Sequence, residues 1–246
     1  MEQSLPSQMP LQPEQSTGPL QQGGQSAERT KTFFQKVFGW MFAGLVVSGA
    51  TAYWVALDEN LYSFILFNSF VFYSLLIGEV LLVIFLTGLV KKMSANTAIF
   101  AFLFYCFVSG LTLSVIFLVY EMSSIGMIFF ITAGMFGAMS LYGYYTGKDL
   151  TTMGQILLMA LFGLIIAMLA NFFFNNSMLD YVISFIAVII FTCLTAYDVQ
   201  KLKAISVTAE SEGSQGTKRS IIGALDLYLD FVNLFLHLLR LFGRRK

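Results

Sequence analysis

The chain has 246 residues, 57% of them hydrophobic and 16% aromatic, with only 11% charged, far below the roughly 25% charged residues of an average soluble domain. Fourteen basic and fourteen acidic side chains cancel to a formal charge of zero, so no global field draws in nucleic acid. An ordinary soluble domain is excluded, and a membrane protein in contact with lipid remains.

Residues 1–32 are rich in Gln, Ser, Gly and Pro and lack a basic stretch followed by an apolar one. They are predicted to be a disordered cytoplasmic tail rather than a cleaved signal, leaving 33–246 as the transmembrane domain. All four prolines (Pro6, Pro10, Pro13 and Pro19) lie in this tail. Any bend in a later helix must therefore come from glycine or a polar insertion.

After Phe33 come six long apolar segments, about 34–57, 64–90, 97–120, 124–146, 153–174 and 179–200. Each is near the roughly 20 residues needed to cross about 30 Å of hydrocarbon. Arg29, Lys31 and Lys36 precede the first segment, Lys91 and Lys92 follow the second, Lys148 follows the fourth, and Lys201, Lys203, Lys218 and Arg219 follow the sixth. The alternate connections carry Asp58, Glu59, Glu121 and Asp180 and no basic residue. The positive-inside rule then predicts a cytoplasmic N-terminus and six crossings that bring the chain back to the cytoplasm. A seventh, less apolar segment, about 219–242, is long enough to span, although Arg244, Arg245 and Lys246 behind it would favour re-entry; seven crossings are expected.

Two features of these segments bear on packing. In the fourth, Ala133 and Gly137, and Gly143 and Gly147, stand four apart on one face, a spacing that lets helix backbones approach. Cys106 and Cys193 sit alone in apolar runs and read as small hydrophobes rather than ligands.

The intramembrane charges are the candidate chemistry, because an ionised carboxylate in hydrocarbon costs at least about 2.5–3.5 kcal/mol on insertion scales. Glu79, mid-way along the second segment, has its nearest basic residue, Lys91, about 18 Å away along a helix. It either stays protonated or faces the seventh segment, with His237 or Arg240 as partner. Asp226, Asp230, Asn233, His237 and Arg240 advance by four, three, four and three, so all five line one stripe of the seventh helix. That stripe can face a wet cavity or pore, or serve as a polar packing seam. Asp198, near the end of the sixth segment, shares a helix face with Lys201. It also stands where Asp226 or Asp230 of the next helix can reach it, and two carboxylates brought together cannot both ionise easily, so such a pair holds a shared proton and senses pH.

Three stretches, "TAGMFGAMSLYGYYTGKDL", "TAYDVQKLK" and "GALDLYLDFVNLFLHLLRLFGRRK", resemble the Bax inhibitor-1 (transmembrane Bax-inhibitor-motif) family, above all its bacterial inner-membrane branch. The resemblance covers about residues 33–246. It implies an all-α, seven-transmembrane-helix bundle with the C-terminal helix wrapped by the other six, no enzymatic activity or bound cofactor, and a pH-sensitive calcium leak. It further implies a proton-sharing aspartate pair, matched here by Asp198 in "AYD" and Asp230 in "LYLDF", as gate and as ligands for a passing calcium ion. Asp226 stands where relatives often carry Ser or Thr and adds a third carboxylate. In some relatives a basic residue at the end of the second helix latches the pair; the matching position here is Val90 or Lys91.

Two other readings stand beside the channel. Some family members regulate a membrane-anchored AAA protease, which makes a membrane protease complex the alternative partner. An intramembrane aspartyl protease is suggested by "YD" at Tyr197-Asp198 followed by "GALD" at Gly223–Asp226. It is opposed by Leu225 in place of the expected glycine and by the absence of any proline after Pro19.

Overall fold

A computed structural model describes residues 19–90, 92–208 and 213–246, with side chains from Ala27 onward. The described residues form nine helices: α1 (Pro19–Leu57), α2 (Glu59–Phe67), α3 (Ser69–Leu89), α4 (Ala95–Leu113), α5 (Ile116–Val119), α6 (Met122–Tyr145), α7 (Thr151–Phe174), α8 (Ser177–Ser206) and α9 (Gly213–Phe242). Seven spans, from α1, α3, α4 with α5, α6, α7, α8 and α9, are long and apolar enough to cross a membrane.

The expected tail is corrected in part. Residues 19–32, predicted to be disordered, are helical; residues 1–18 lie outside the described residues. Further along, Thr30 and Phe33 are buried, and the Ser206 hydroxyl donates to the Thr30 hydroxyl at 2.9 Å. Packing against α8 thus carries the helix beyond the apolar run.

Short polar residues mark the breaks. The predicted second segment, 64–90, divides at Asn68, whose side chain accepts from Val71 N and caps α3. Asp58 caps α2 in the same way, and Asn176 accepts from Met178 N and Leu179 N to start α8. The third span breaks between α4 and α5 at Ser114 and Val115. There the Ser114 hydroxyl donates to the Leu111 carbonyl three residues back, a polar insertion of the kind required where proline is absent.

α9 is the axis of the bundle. Of its most apolar stretch, 72% is buried, against 6% for α3 and 11% for α7. It packs mainly on α8, α1, α6 and α4, while α3 leans on α4 and α7 on α8. The C-terminal helix is therefore central, but its wrapping is chiefly by four spans, not six. α3 and α7 present most of their surface outward, where lipid replaces protein as the apolar neighbour.

The seventh segment is one continuous helix, long and apolar enough to cross, and it does not fold back on itself. α9 is continuous to Phe242, and the residues after it join the start of α6. Glu121 N donates to Arg244 O at 3.0 Å, Lys246 N donates to Val119 O at 3.0 Å, and Tyr120 bridges Arg245 in antiparallel fashion.

Close helix approach is borne out at one of the small residues. A Cβ at Gly143 would overlap the Ala196 carbonyl of α8, whereas one at Gly137 or Gly147 would meet nothing within 4 Å. Gly143 alone of these three glycines sets an interhelical distance.

Candidate functional site: a carboxyl cluster between α8 and α9

α8 and α9 run antiparallel, so residues late in α8 meet residues early in α9. At that end Asp198 and Asp230 stand as neighbouring carboxyls. Asp230 is only 5% exposed, and its Oδ2 is buried without a hydrogen-bond donor. An ionised carboxylate is acceptor only, so two of them in contact lack a bond until one proton lies between them. The third carboxyl, Asp226, stands one turn before Asp230.

Lys201 binds the group together. Its Nζ lies 3.8 Å from Asp198 Oδ1 and 3.4 Å from Asp226 Oδ2. The i,i+3 partnership with Asp198 was legible from spacing; the bond to Asp226 was not, because it depends on how α9 docks. The proposed latch Lys91 lies outside the described residues, and Val90, the other matching position, is the apolar C-cap of α3. Among the described residues, Lys201 of α8 is a cation that pairs with Asp198 and Asp226.

The rest of the predicted stripe divides among separate contacts. Asn233 donates its Nδ2 to Leu229 O of its own helix at 2.8 Å. His237, 7% exposed, has Nδ1 at 3.4 Å from the Ser184 hydroxyl and stacks on Phe191. Arg240 pairs with Asp180 at 2.8 Å at the far end. The regular spacing did put Asp226, Asp230, His237 and Arg240 against α8, but each meets a separate partner there.

Of the two alternatives for Glu79, the pairing with His237 or Arg240 is not made. Glu79 Oε1 accepts a hydrogen bond from the Thr112 hydroxyl of α4 at 2.5 Å. Both alternative partners are engaged by α8, and α3 leans on α4 instead of α9. Thr112 begins a small polar set that continues to Ser109, whose hydroxyl accepts from the fully buried Tyr228 of α9 at 3.1 Å. No spacing within one helix points to that contact.

Among the described residues no group of three or more His, Cys, Asp or Glu is arranged to hold a metal ion. Asp198 and Asp230 offer hard oxygens, but not a closed cage. The far-end ion pair is structurally minor: Arg240 and Asp180 are 42% and 35% exposed, and pairs of that kind are worth about 0–1 kcal/mol. Arg240→Ala is therefore expected to lower stability by less than about 1 kcal/mol, read from thermal unfolding in detergent. A loss several times larger would mean that the pair is shielded from water.

The fold and site together define a multi-pass, all-α membrane protein with a carboxyl cluster buried beside its central helix. The family model for Inhibitor of apoptosis-promoting Bax1 matches residues 30–246. The chain belongs to the Bax inhibitor-1 family. It is 43% identical over 217 residues to the inner membrane protein YbhL of Escherichia coli strain K12, covering 88% of this chain and 93% of that protein. It is 44% identical over 214 residues to an uncharacterized protein of Borreliella burgdorferi (87% and 92% covered). With an uncharacterized membrane protein of Streptococcus pyogenes it shares 36% over 214 residues (86% and 92%).

Proposed function

We propose that the protein is a passive, proton-gated path for calcium across a bacterial inner membrane, in which Asp198 and Asp230 form the gate. The observation that carries this reading is that their carboxyls are neighbours, with Asp230 Oδ2 buried and lacking a donor. One shared proton bonds α8 to α9 and keeps the path shut. Removing it leaves two like charges in contact, which repel strongly where water is scarce. The helices then part, and the freed oxygens face the path, where carboxylates suit a hard divalent ion. Asp226 adds charge to the mouth, and Lys201 offsets it.

The alternation of basic and acidic connections supports placing the N-terminus and this gate on the cytoplasmic side. Under this reading the flux rises as the cytoplasmic pH rises, because deprotonation opens the gate.

The test uses the purified full chain alone in liposomes. Calcium entry that exceeds that of empty liposomes and increases from about pH 6 to about pH 8, the range over which a coupled carboxyl pair can exchange its proton, is the expected result. An absence of flux at every pH, with the protein folded, would reject the channel and favour a regulator that needs its membrane protease.

A further inference from the structure

At the end of the bundle that holds Asp198, an open cavity of about 730 Å³ lies between the α6–α7 loop, α8 and α9. Its lining includes three cationic side chains from three separate segments: Lys148 of the loop, Lys201 of α8 and Arg219 of α9. The loop is held in place by Gln200, whose Oε1 accepts from Leu150 N and whose Nε2 donates to Lys148 O, each at 2.8 Å. Both ends of that amide are thus occupied.

The acid in the lining, Asp149, is also occupied. Its Oδ1 accepts from Thr151 N at 2.9 Å, and the Thr151 hydroxyl and N–H hold its carboxyl below the usual carboxylate range. Among the described residues the lining thus carries more basic than acidic side chains, Lys148, Lys201 and Arg219 against Asp149, beside an apolar wall that includes Tyr197 and Ile205.

We propose that this cavity binds a phosphate-bearing anion, either the headgroup of an acidic lipid or free phosphate. A phosphate has acceptor oxygens on several sides, which suits ammonium and guanidinium groups converging from different segments. The lining includes residues near the end of α8 and the start of α9, and basic residues at the ends of spans attract acidic lipid headgroups. Lys201 serves two groups: it lines the cavity and also lies 3.4 Å from Asp226. A bound anion competes with Asp226 and Asp198 for that ammonium. This last step, and only this step, rests on the gating reading; it makes the anion a modulator of the gate.

The test is binding, measured without calcium flux, so the site and the channel reading can fail separately. The full chain in detergent is incubated with phosphatidylcholine or with phosphatidylglycerol, and retained lipid is counted by native mass spectrometry. Inorganic phosphate is titrated in parallel by calorimetry. The parent should retain phosphatidylglycerol preferentially or bind phosphate. Arg219→Gln and Lys148→Gln should each weaken that binding about five-fold, the effect of one basic residue near an anionic headgroup. Lys36→Gln, on α1 and outside the cavity lining, should leave it unchanged. Displacement of the lipid by phosphate, or phosphate binding alone, assigns the site to free phosphate; retention that phosphate cannot displace assigns it to lipid. Equal retention of the two lipids with no heat from phosphate overturns the proposal. So does binding that survives both cavity substitutions in folded protein.

Discussion

Gly143→Ala should destabilise the protein by about 3 kcal/mol, the upper end of the usual cost of overpacking, while Gly137→Ala in the same helix should be neutral or slightly favourable. The difference lies in what each new methyl group meets. At Gly143 it runs into the backbone of α8 at Ala196, which cannot rotate away as a side chain would. At Gly137 nothing lies within 4 Å, so only helix propensity acts, about 1 kcal/mol in favour of Ala. Functional damage should exceed the loss of stability, because Ala196 precedes Asp198 by two residues and a displaced α8 carries that carboxyl away from Asp230. Thermal or denaturant unfolding in detergent checks the contrast. Equal effects at the two glycines would show that α6 and α8 are not held by this contact.

Asp230→Asn should abolish most of the pH response of calcium flux and leave the path largely shut. Asparagine keeps the shape of the side chain, but its amide N–H donates to Asp198 without any added proton. The α8–α9 bond then persists at every pH. If gating couples opening to proton loss by about 1.4 kcal/mol, the parent's flux changes about tenfold over the titration, and the variant's stays near the parent's low-pH level. Flux curves that coincide for parent and variant would reject Asp230 as part of the gate.

Much of this arrangement was legible in the sequence because its physics is local. Charge-free runs near the thickness of a bilayer placed the spans. The steps of four and three from Asp226 to Arg240 placed four of the five polar residues against α8, since a helix repeats its face at that interval. Proximity of consecutive helices then brought Asp198 toward Asp226 and Asp230.

What was not legible depends on contacts between distant segments. Residues 19–32 look too polar to fold, yet Thr30 bonds with Ser206, 176 positions away. Glu79 has no charged neighbour along its own helix; its partner Thr112 is set by α3 leaning on α4. Lys201 looked like half of a helix-end pair with Asp198 until α9 brought in Asp226. His237 and Arg240 lie on the predicted face, but Ser184, Phe191 and Asp180 had no pattern of their own to announce them. Among Gly137, Gly143 and Gly147, equal in spacing and residue type, only the docking of α8 distinguishes the second.

The central claim is that Asp198 and Asp230 work as one titrating unit, and a double-substitution cycle tests it most directly. Calcium flux against pH is measured for Asp198→Asn, Asp230→Asn and the two combined, each purified alone in liposomes. A shared proton predicts that either single change removes the pH response and that the combined change removes no more, the strong non-additivity of residues acting as a pair. Independent, additive losses, with each single variant keeping a pH response of its own, would contradict it.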